Sequence, residues 1–173
     1  MGSKNIALTG FMGTGKSTVG RLLAKRLKWK WVDVDRYIEK KEGRPIARIF
    51  EKEGEPYFRS LEKEAIRELS SKRGVVITTG GGAVMDGENM KTLKKNGWVV
   101  ALWADPSTLY YRLRGSRNRP LLKAKDFLNE MKRLLELRRP HYEKSDLHVR
   151  TERRTPAQVA DEIFRALERK LGS

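Results

Sequence analysis

The sequence predicts a three-layer α/β/α domain built around a central five-stranded parallel sheet. Two observations predict it. Short apolar runs alternate with amphipathic helical stretches along the whole chain, the pattern of parallel strands covered on both faces. The first apolar run breaks into a glycine-rich turn that opens a helix, a strand–turn–helix unit typical of such sheets. A length of 173 residues suits one domain with small insertions and leaves no room for two separate cores.

The elements follow in order. Asn5 to Thr9 reads as a short buried strand and leads into the turn Gly10-Phe-Met-Gly-Thr-Gly-Lys-Ser17. Lys16 to Leu27 is helical, with Val19, Leu22, Leu23, Ala24 and Leu27 on an apolar face at spacings of three and four. Trp31 to Val34 is a second strand, with Asp33 and Asp35 at its carboxyl end. Helical stretches over 36–41 and 45–53 follow, punctuated by Gly43 and Gly54. Tyr57 to Ser71 is another amphipathic helix, with Phe58, Leu61, Ala65, Ile66 and Leu69 inward. Val75 to Thr79 is the clearest buried strand and runs into Gly80-Gly81-Gly82. Asn89 to Lys95 is a helix and Trp98 to Trp103 a strand. Asp105-Pro106 starts a helix that runs to about Arg114, an acidic cap followed by proline in the first turn. Residues 115–124 lack periodicity and read as a loop or lid; Asp126 to Arg139 is helical and ends before Pro140. Leu147 to Val149 is the last strand, and Thr155-Pro156 opens the final helix, with Val159, Ile163, Phe164 and Leu167 on one face.

Composition narrows the function. The absence of cysteine excludes disulfide scaffolds, thiolate-bound zinc and cysteine nucleophiles, and two histidines argue against a histidine-rich metal site. No run is long enough to span a membrane, and the N-terminus leads straight into a strand-like run without a signal peptide, so the expected compartment is the cytoplasm. A net charge of +16 draws anions in general: nucleic acid, anionic lipid, or phosphorylated and carboxylated small molecules.

Gly10-x-x-x-x-Gly15-Lys16-Ser17 meets the full phosphate-loop pattern, between an apolar strand and an amphipathic helix. Glycines let successive backbone N–H groups turn toward phosphate oxygens, and the helix presents its positive end to the same anion. Gly13, Thr14, Gly15, Lys16, Ser17 and Thr18 are the candidate nucleotide contacts, with Lys16 on the β- and γ-phosphates and Ser17 on Mg²⁺. ATP or GTP is the expected ligand. No guanine-reading Asn/Thr-Lys-x-Asp motif occurs, and the chain is short for a helicase or motor, which leaves mainly the small phosphotransferases.

Asp33 and Asp35 lie where open α/β sheets place ligands. Two residues apart on a strand, they share a face: Asp33 serves Mg²⁺ and Asp35 the acceptor hydroxyl, or else one acid merely caps the next helix. Gly80, Gly81 and Gly82 let a ligand lie against bare backbone, unless they form an ordinary turn. Arg112, Arg114, Arg117 and Arg119 crowd one stretch, with two readings: a lid that neutralises a transferring phosphoryl group, or a solvated or nucleic-acid-binding surface. Arg59 and Arg138 offer guanidinium forks, and if they converge near the glycine triplet the acceptor is a small carboxylate.

Taken together these motifs resemble the shikimate kinase family, over roughly Ile6 to Leu167. The matching pieces are the phosphate loop at 10–17, Asp-Val-Asp at 33–35, Ile49-Phe-x-x-x-Gly54-Glu55-x-x-Phe58-Arg59-x-x-Glu62, Thr79-Gly-Gly-Gly82, Arg119-Pro-Leu-Leu122 and Arg138-x-Pro140-x-Tyr142. The resemblance implies a single P-loop kinase domain over 1–173, with a substrate-binding subregion at 33–62 and a lid at 112–124. It implies ATP- and Mg²⁺-dependent phosphorylation of the 3-hydroxyl of shikimate, a step of aromatic amino-acid biosynthesis, by a cytoplasmic monomer without a specific nucleic-acid or membrane partner. It places Asp35 on the shikimate hydroxyls, Arg59 and Arg138 on its carboxylate, and Gly80, Gly81 and Gly82 along its site. It brings Arg119 to ATP phosphate and substrate, Arg112, Arg154 and Pro156 to adenine, and Lys16, Ser17 and Asp33 to phosphate and Mg²⁺. The alternatives are another small P-loop kinase acting on a sugar acid such as gluconate, and, from a different class, a nucleic-acid-binding ATPase motivated by the charge.

Overall fold

In the computed structural model, residues 4–114 and 127–171 are described. Five strands form one sheet: β1 (Asn5–Gly10), β2 (Lys30–Asp33), β3 (Val75–Thr78), β4 (Gly97–Trp103) and β5 (Leu147–Arg150). Their order across the sheet is β2-β3-β1-β4-β5, and all neighbours are parallel. Between them run α1 (Lys16–Leu27), α2 (Val34–Glu42), α3 (Ile46–Ser70), α4 (Gly87–Lys95), α5 (Pro106–Leu113), α6 (Phe127–Tyr142) and α7 (Pro156–Leu171). A single 3₁₀ turn at Ala83–Met85 follows the glycine triplet.

The three layers follow from the two-residue period of the strands. Ile6 and Leu8 of β1 and Val100 and Leu102 of β4 face one way, onto Val19 and Leu23 of α1 and Val159, Ile163 and Leu167 of α7. Ala7, Val99 and Ala101 face the other way, onto Val34, Ile66, Leu69, Leu109, Met131 and Leu135. Burial of every residue of β1 and β3 explains why these strands read as continuous apolar runs.

The structure departs from the sequence reading at three places. β2 stops at Asp33 and α2 begins at Val34, so Asp35 lies in the first turn of a helix and does not share a strand face with Asp33. The cause is a cap: the Asp33 carboxylate accepts from the Arg36 N–H at 3.1 Å, while Val34 and Ile38, one helical turn apart, are both buried. The helices expected at 45–53 and 57–71 join as α3, broken only at Gly54, whose φ of 81° takes it out of helical geometry. α6 does not end before Pro140 but continues to Tyr142. Proline costs a helix one bond to the carbonyl four residues back, here that of the exposed Glu136. That carbonyl faces water, and the turn is kept by burial of Arg138 and Tyr142 on the inner face. No helix among the described residues is long and apolar enough to cross a membrane.

The strand order positions the site. β2, β3 and β1 are consecutive neighbours, so their carboxyl ends lie side by side. Neighbouring strands sit about 4.8 Å apart. Asp33, Gly80 to Gly82 and the turn after Gly10 therefore meet at one edge of the sheet, although about seventy residues separate the first from the last in sequence.

Candidate active site

The turn between β1 and α1 presents an anion cradle. Gly15 is the N-terminal cap of α1 with φ 91°, a left-handed conformation that costs other residues strain, and no side chain caps the helix. The first N–H groups of α1 thus face outward at its positive end. A side chain at Gly15 would meet nothing within 4 Å, so the space over the turn is open. Thr14 is buried, and its hydroxyl donates to the Phe11 carbonyl at 2.7 Å, closing the turn; Thr18 is exposed at the start of α1. The Lys16 ammonium spans the turn, donating to the carbonyls of Gly10 at 2.8 Å and Phe11 at 3.0 Å.

Beside this cradle stands Asp33. Its Oδ2 accepts from the Ser17 hydroxyl at 3.2 Å and from the Thr78 hydroxyl at 3.0 Å, while Oδ1 caps α2. The capping role and a metal-site role are therefore compatible: one oxygen does each. Ser17 and Asp33 make a set of hard oxygen donors that suits Mg²⁺, which takes one or two protein oxygens in nucleotide sites and the remainder from phosphate and water. Consistent with such a sparse site, no cluster of three or more His, Asp or Glu able to hold a metal occurs among the described residues.

The glycine triplet is the floor of the adjoining space, and each of its members faces a different charged group. An added Cβ at Gly80 would lie 3.4 Å from Asp35 Oδ1 and 3.5 Å from Glu62 Oε2. At Gly81 it would lie 3.0 Å from Arg138 Nη1, and 3.6 Å from the Gly10 carbonyl and the Met12 N–H of the phosphate turn. At Gly82 it would overlap Arg59 Nη2 at 2.6 Å. None of the three has positive φ, so they are glycine for space, not for backbone conformation. Asp35, Arg59 and Arg138 thus converge on three consecutive residues, and the phosphate turn lies immediately behind the middle one.

Electrostatics sharpens the picture. Burial, followed by the charges of Asp33 and Glu62, raises the Asp35 carboxyl from 3.8 to about 7, against a smaller opposing pull from Lys16. Asp35 Oδ1 is buried and has no hydrogen-bond partner. Arg138 is 7% exposed and lies over the ring of Phe11, its guanidinium carbon 5.5 Å from the centroid. Arg59 reaches Glu62 at 2.8 Å and Glu55 at 3.1 Å.

Two residues of this site escaped the sequence reading. Glu62, 1% exposed, pairs through Oε1 with Arg59 and leaves Oε2 unpartnered toward Gly80. Burial raises its carboxyl above the ordinary range, and the charges of Arg59 and Arg138 work against that rise. Its spacing of three from Arg59 on one helix was the available signal. Thr78 ends β3 opposite Asp33 in register, a pairing that only the sheet order reveals.

The remaining candidates divide. Arg112 reaches the turn: its guanidinium donates to the Gly13 carbonyl, the Thr151 hydroxyl and the Thr151 carbonyl, each at 3.1 Å. Arg154 is turned instead toward Glu162 on α7, and Pro156 is exposed at the first position of that helix. Arg119 lies outside the described residues, as do Arg117 and most of the stretch at 112–124.

Comparison with known proteins agrees with this geometry. The sequence profile of the family described as "Shikimate kinase" matches residues 12–168. The chain is 48% identical over 166 residues to a shikimate kinase of Thermodesulfovibrio yellowstonii, covering 96% of both proteins. A solved structure of shikimate kinase from Acinetobacter baumannii in complex with shikimate superposes with a TM-score of 0.93, at 36% identity, over 98% of this chain and 95% of that one. A gluconokinase from Sinorhizobium meliloti, over 96% of this chain and 93% of its own, reaches a TM-score of 0.64 at 20% identity and so shares the fold alone. Profile, full-length identity and superposition agree: the chain belongs to the shikimate kinase family.

Proposed function

We propose that this protein transfers the γ-phosphoryl group of ATP to the 3-hydroxyl of shikimate, releasing ADP. The observation that carries the reading is the convergence of one carboxylate and two arginines on Gly80 to Gly82, directly beside the phosphate turn. A small hydroxylated acid lying on that floor has its carboxylate between Arg59 and Arg138, as guanidinium forks favour. Its ring hydroxyl then faces Asp35. A carboxyl held near 7 accepts a proton at neutral pH more readily than an ordinary aspartate does. The hydroxyl oxygen attacks the γ-phosphorus, the bond to the β-phosphate oxygen breaks, and Asp35 takes the hydroxyl proton. Lys16 and the N-terminus of α1 stabilise charge on the phosphate oxygens. Ser17 and Asp33 would hold Mg²⁺, which neutralises charge on the β- and γ-phosphates when bound. Arg112 is proposed near adenine. Arg119 is proposed to neutralise the moving phosphoryl group, as the family pattern implies.

ADP release at equal MgATP, measured with shikimate, gluconate and other small hydroxy acids, tests the reading. Shikimate is expected to support turnover at least a hundredfold above the others. Equal turnover with gluconate, or stimulation by RNA or DNA and not by shikimate, would sink it.

Gly82→Ala tests the acceptor floor separately. The new methyl would overlap the Arg59 guanidinium, the mobile end of a long side chain, so Arg59 would swing away and the fold would persist. The KM for shikimate should rise about tenfold or more, the typical cost of losing a charge-assisted contact, with the KM for ATP unchanged.

A further inference from the structure

Tyr142 has no part in the transfer described above, yet it is 1% exposed and carries a polar group into the core. Its ring packs edge-on against Trp103, with centroids 5.8 Å apart and planes at 86°. Its hydroxyl donates to the Gly81 carbonyl at 2.5 Å. The same hydroxyl is within hydrogen-bonding contact of the Arg138 guanidinium. Arg138 and Tyr142 stand four residues apart on α6, on one face.

A phenol has one proton to give and lone pairs to accept with. Here it accepts from the guanidinium and gives its proton to the carbonyl, so each bond polarises the other. The two groups that it joins are those that must keep their spacing. Arg138 is one arm of the carboxylate grip, and Gly81 separates that arm from Gly10 and Met12 of the phosphate turn. Burial raises the phenol to about 12, so the donated proton stays in place throughout the neutral range. The continuation of α6 past Pro140 is what brings this hydroxyl to Gly81.

We propose that Tyr142 is a positioning residue for the acceptor's carboxylate: by bridging Arg138 and Gly81 it holds the guanidinium fork at a fixed place over the glycine floor. The proposal rests on the reading that Arg138 grips that carboxylate. Pre-organisation of this kind shows in affinity for the charged group and not in general binding.

The test compares wild type, Tyr142→Phe and Arg138→Ala by calorimetric titration with shikimate, shikimate methyl ester and MgATP. Tyr142→Phe should weaken shikimate about tenfold, the range for hydrogen bonds to charged groups. It should leave the ester and MgATP within about twofold of wild type. Unchanged shikimate affinity, or equal losses for shikimate and ester, would overturn the proposal, since a purely structural role weakens both alike. If Arg138→Ala leaves the preference for shikimate over the ester intact, the underlying reading of Arg138 fails. If Arg138→Ala abolishes that preference while Tyr142→Phe keeps it, the role of Tyr142 alone fails. Should Tyr142→Phe not fold, 3,5-difluorotyrosine at position 142 keeps the shape and makes the phenol far more acidic. Shikimate affinity should then fall as pH rises through its ionisation, while wild type stays flat, and a flat response in both would overturn the assignment.

Discussion

Asp35→Asn should lower turnover with shikimate by about 10³-fold, within the range for loss of a general base, and should also raise the melting temperature. The first effect follows from losing the group that orients the acceptor hydroxyl and takes its proton. ATP binding should survive, because the phosphate turn is built from Gly13 to Ser17 and closed by Thr14 and Lys16. Near-normal turnover in the variant would show the assigned role to be wrong. The second effect follows from where the carboxylate sits. Its pKa is raised from 3.8 to about 7, so between these values the folded protein keeps a proton that the unfolded chain has released. Stability of the wild type is therefore lost as pH rises through that window and is lowest above it. An asparagine does not titrate. The variant's gain in melting temperature should be small at pH 5 and reach about 5 °C at pH 8, for a penalty on the order of 2 kcal/mol. In wild type, kcat/KM for shikimate should fall on the acid side of about 7 as Asp35 protonates. Scanning calorimetry and initial rates at the two pH values check both halves.

Lys16→Ala should reduce kcat about 10² to 10³-fold, the usual cost of removing one preorganised charge from a transferring group, and raise the KM for ATP. The ammonium now rests on the Gly10 and Phe11 carbonyls, at the base of the turn over which phosphate oxygens would lie. Losing it should not unfold the protein. The turn remains closed by the Thr14 hydroxyl on the Phe11 carbonyl, and α1 is anchored by buried Val19, Leu23 and Ala24. Single-turnover kinetics alongside a thermal melt separate the effects. A melting temperature within about 2 °C of wild type with a collapsed transfer rate is the expected pair, since a solvent-accessible lysine contributes little to stability. Unaltered transfer would remove Lys16 from the chemistry.

The residues show which parts of this were legible in the chain alone. The phosphate turn could be read because its chemistry is local: glycine spacing, lysine and serine lie within eight consecutive residues and between a strand and a helix. The parallel sheet could be read because fully buried strands are apolar on both faces. Arg59, Arg138 and the glycine triplet were found as chemically suited pieces, but their meeting was a condition and not a result. Asp35 was placed on the strand because two-residue spacing suggested it, whereas capping by Asp33 starts a helix one residue earlier. Pro140 was taken as a helix stop, whereas burial of Arg138 and Tyr142 carries α6 past it. Arg154 was expected near the nucleotide, but its guanidinium is turned to Glu162.

Short-range pattern therefore established the nucleotide-binding turn, the layered α/β class and the kinds of side chain available for catalysis, since each depends on residues close together in the chain. The placing of β3 between β2 and β1 was settled by long-range packing, and with it the meeting of Asp33, Asp35, Arg59, Gly80 to Gly82 and Arg138 in one cleft. So was the raised carboxyl of Asp35, because desolvation is a property of everything that surrounds a group and not of its neighbours in sequence.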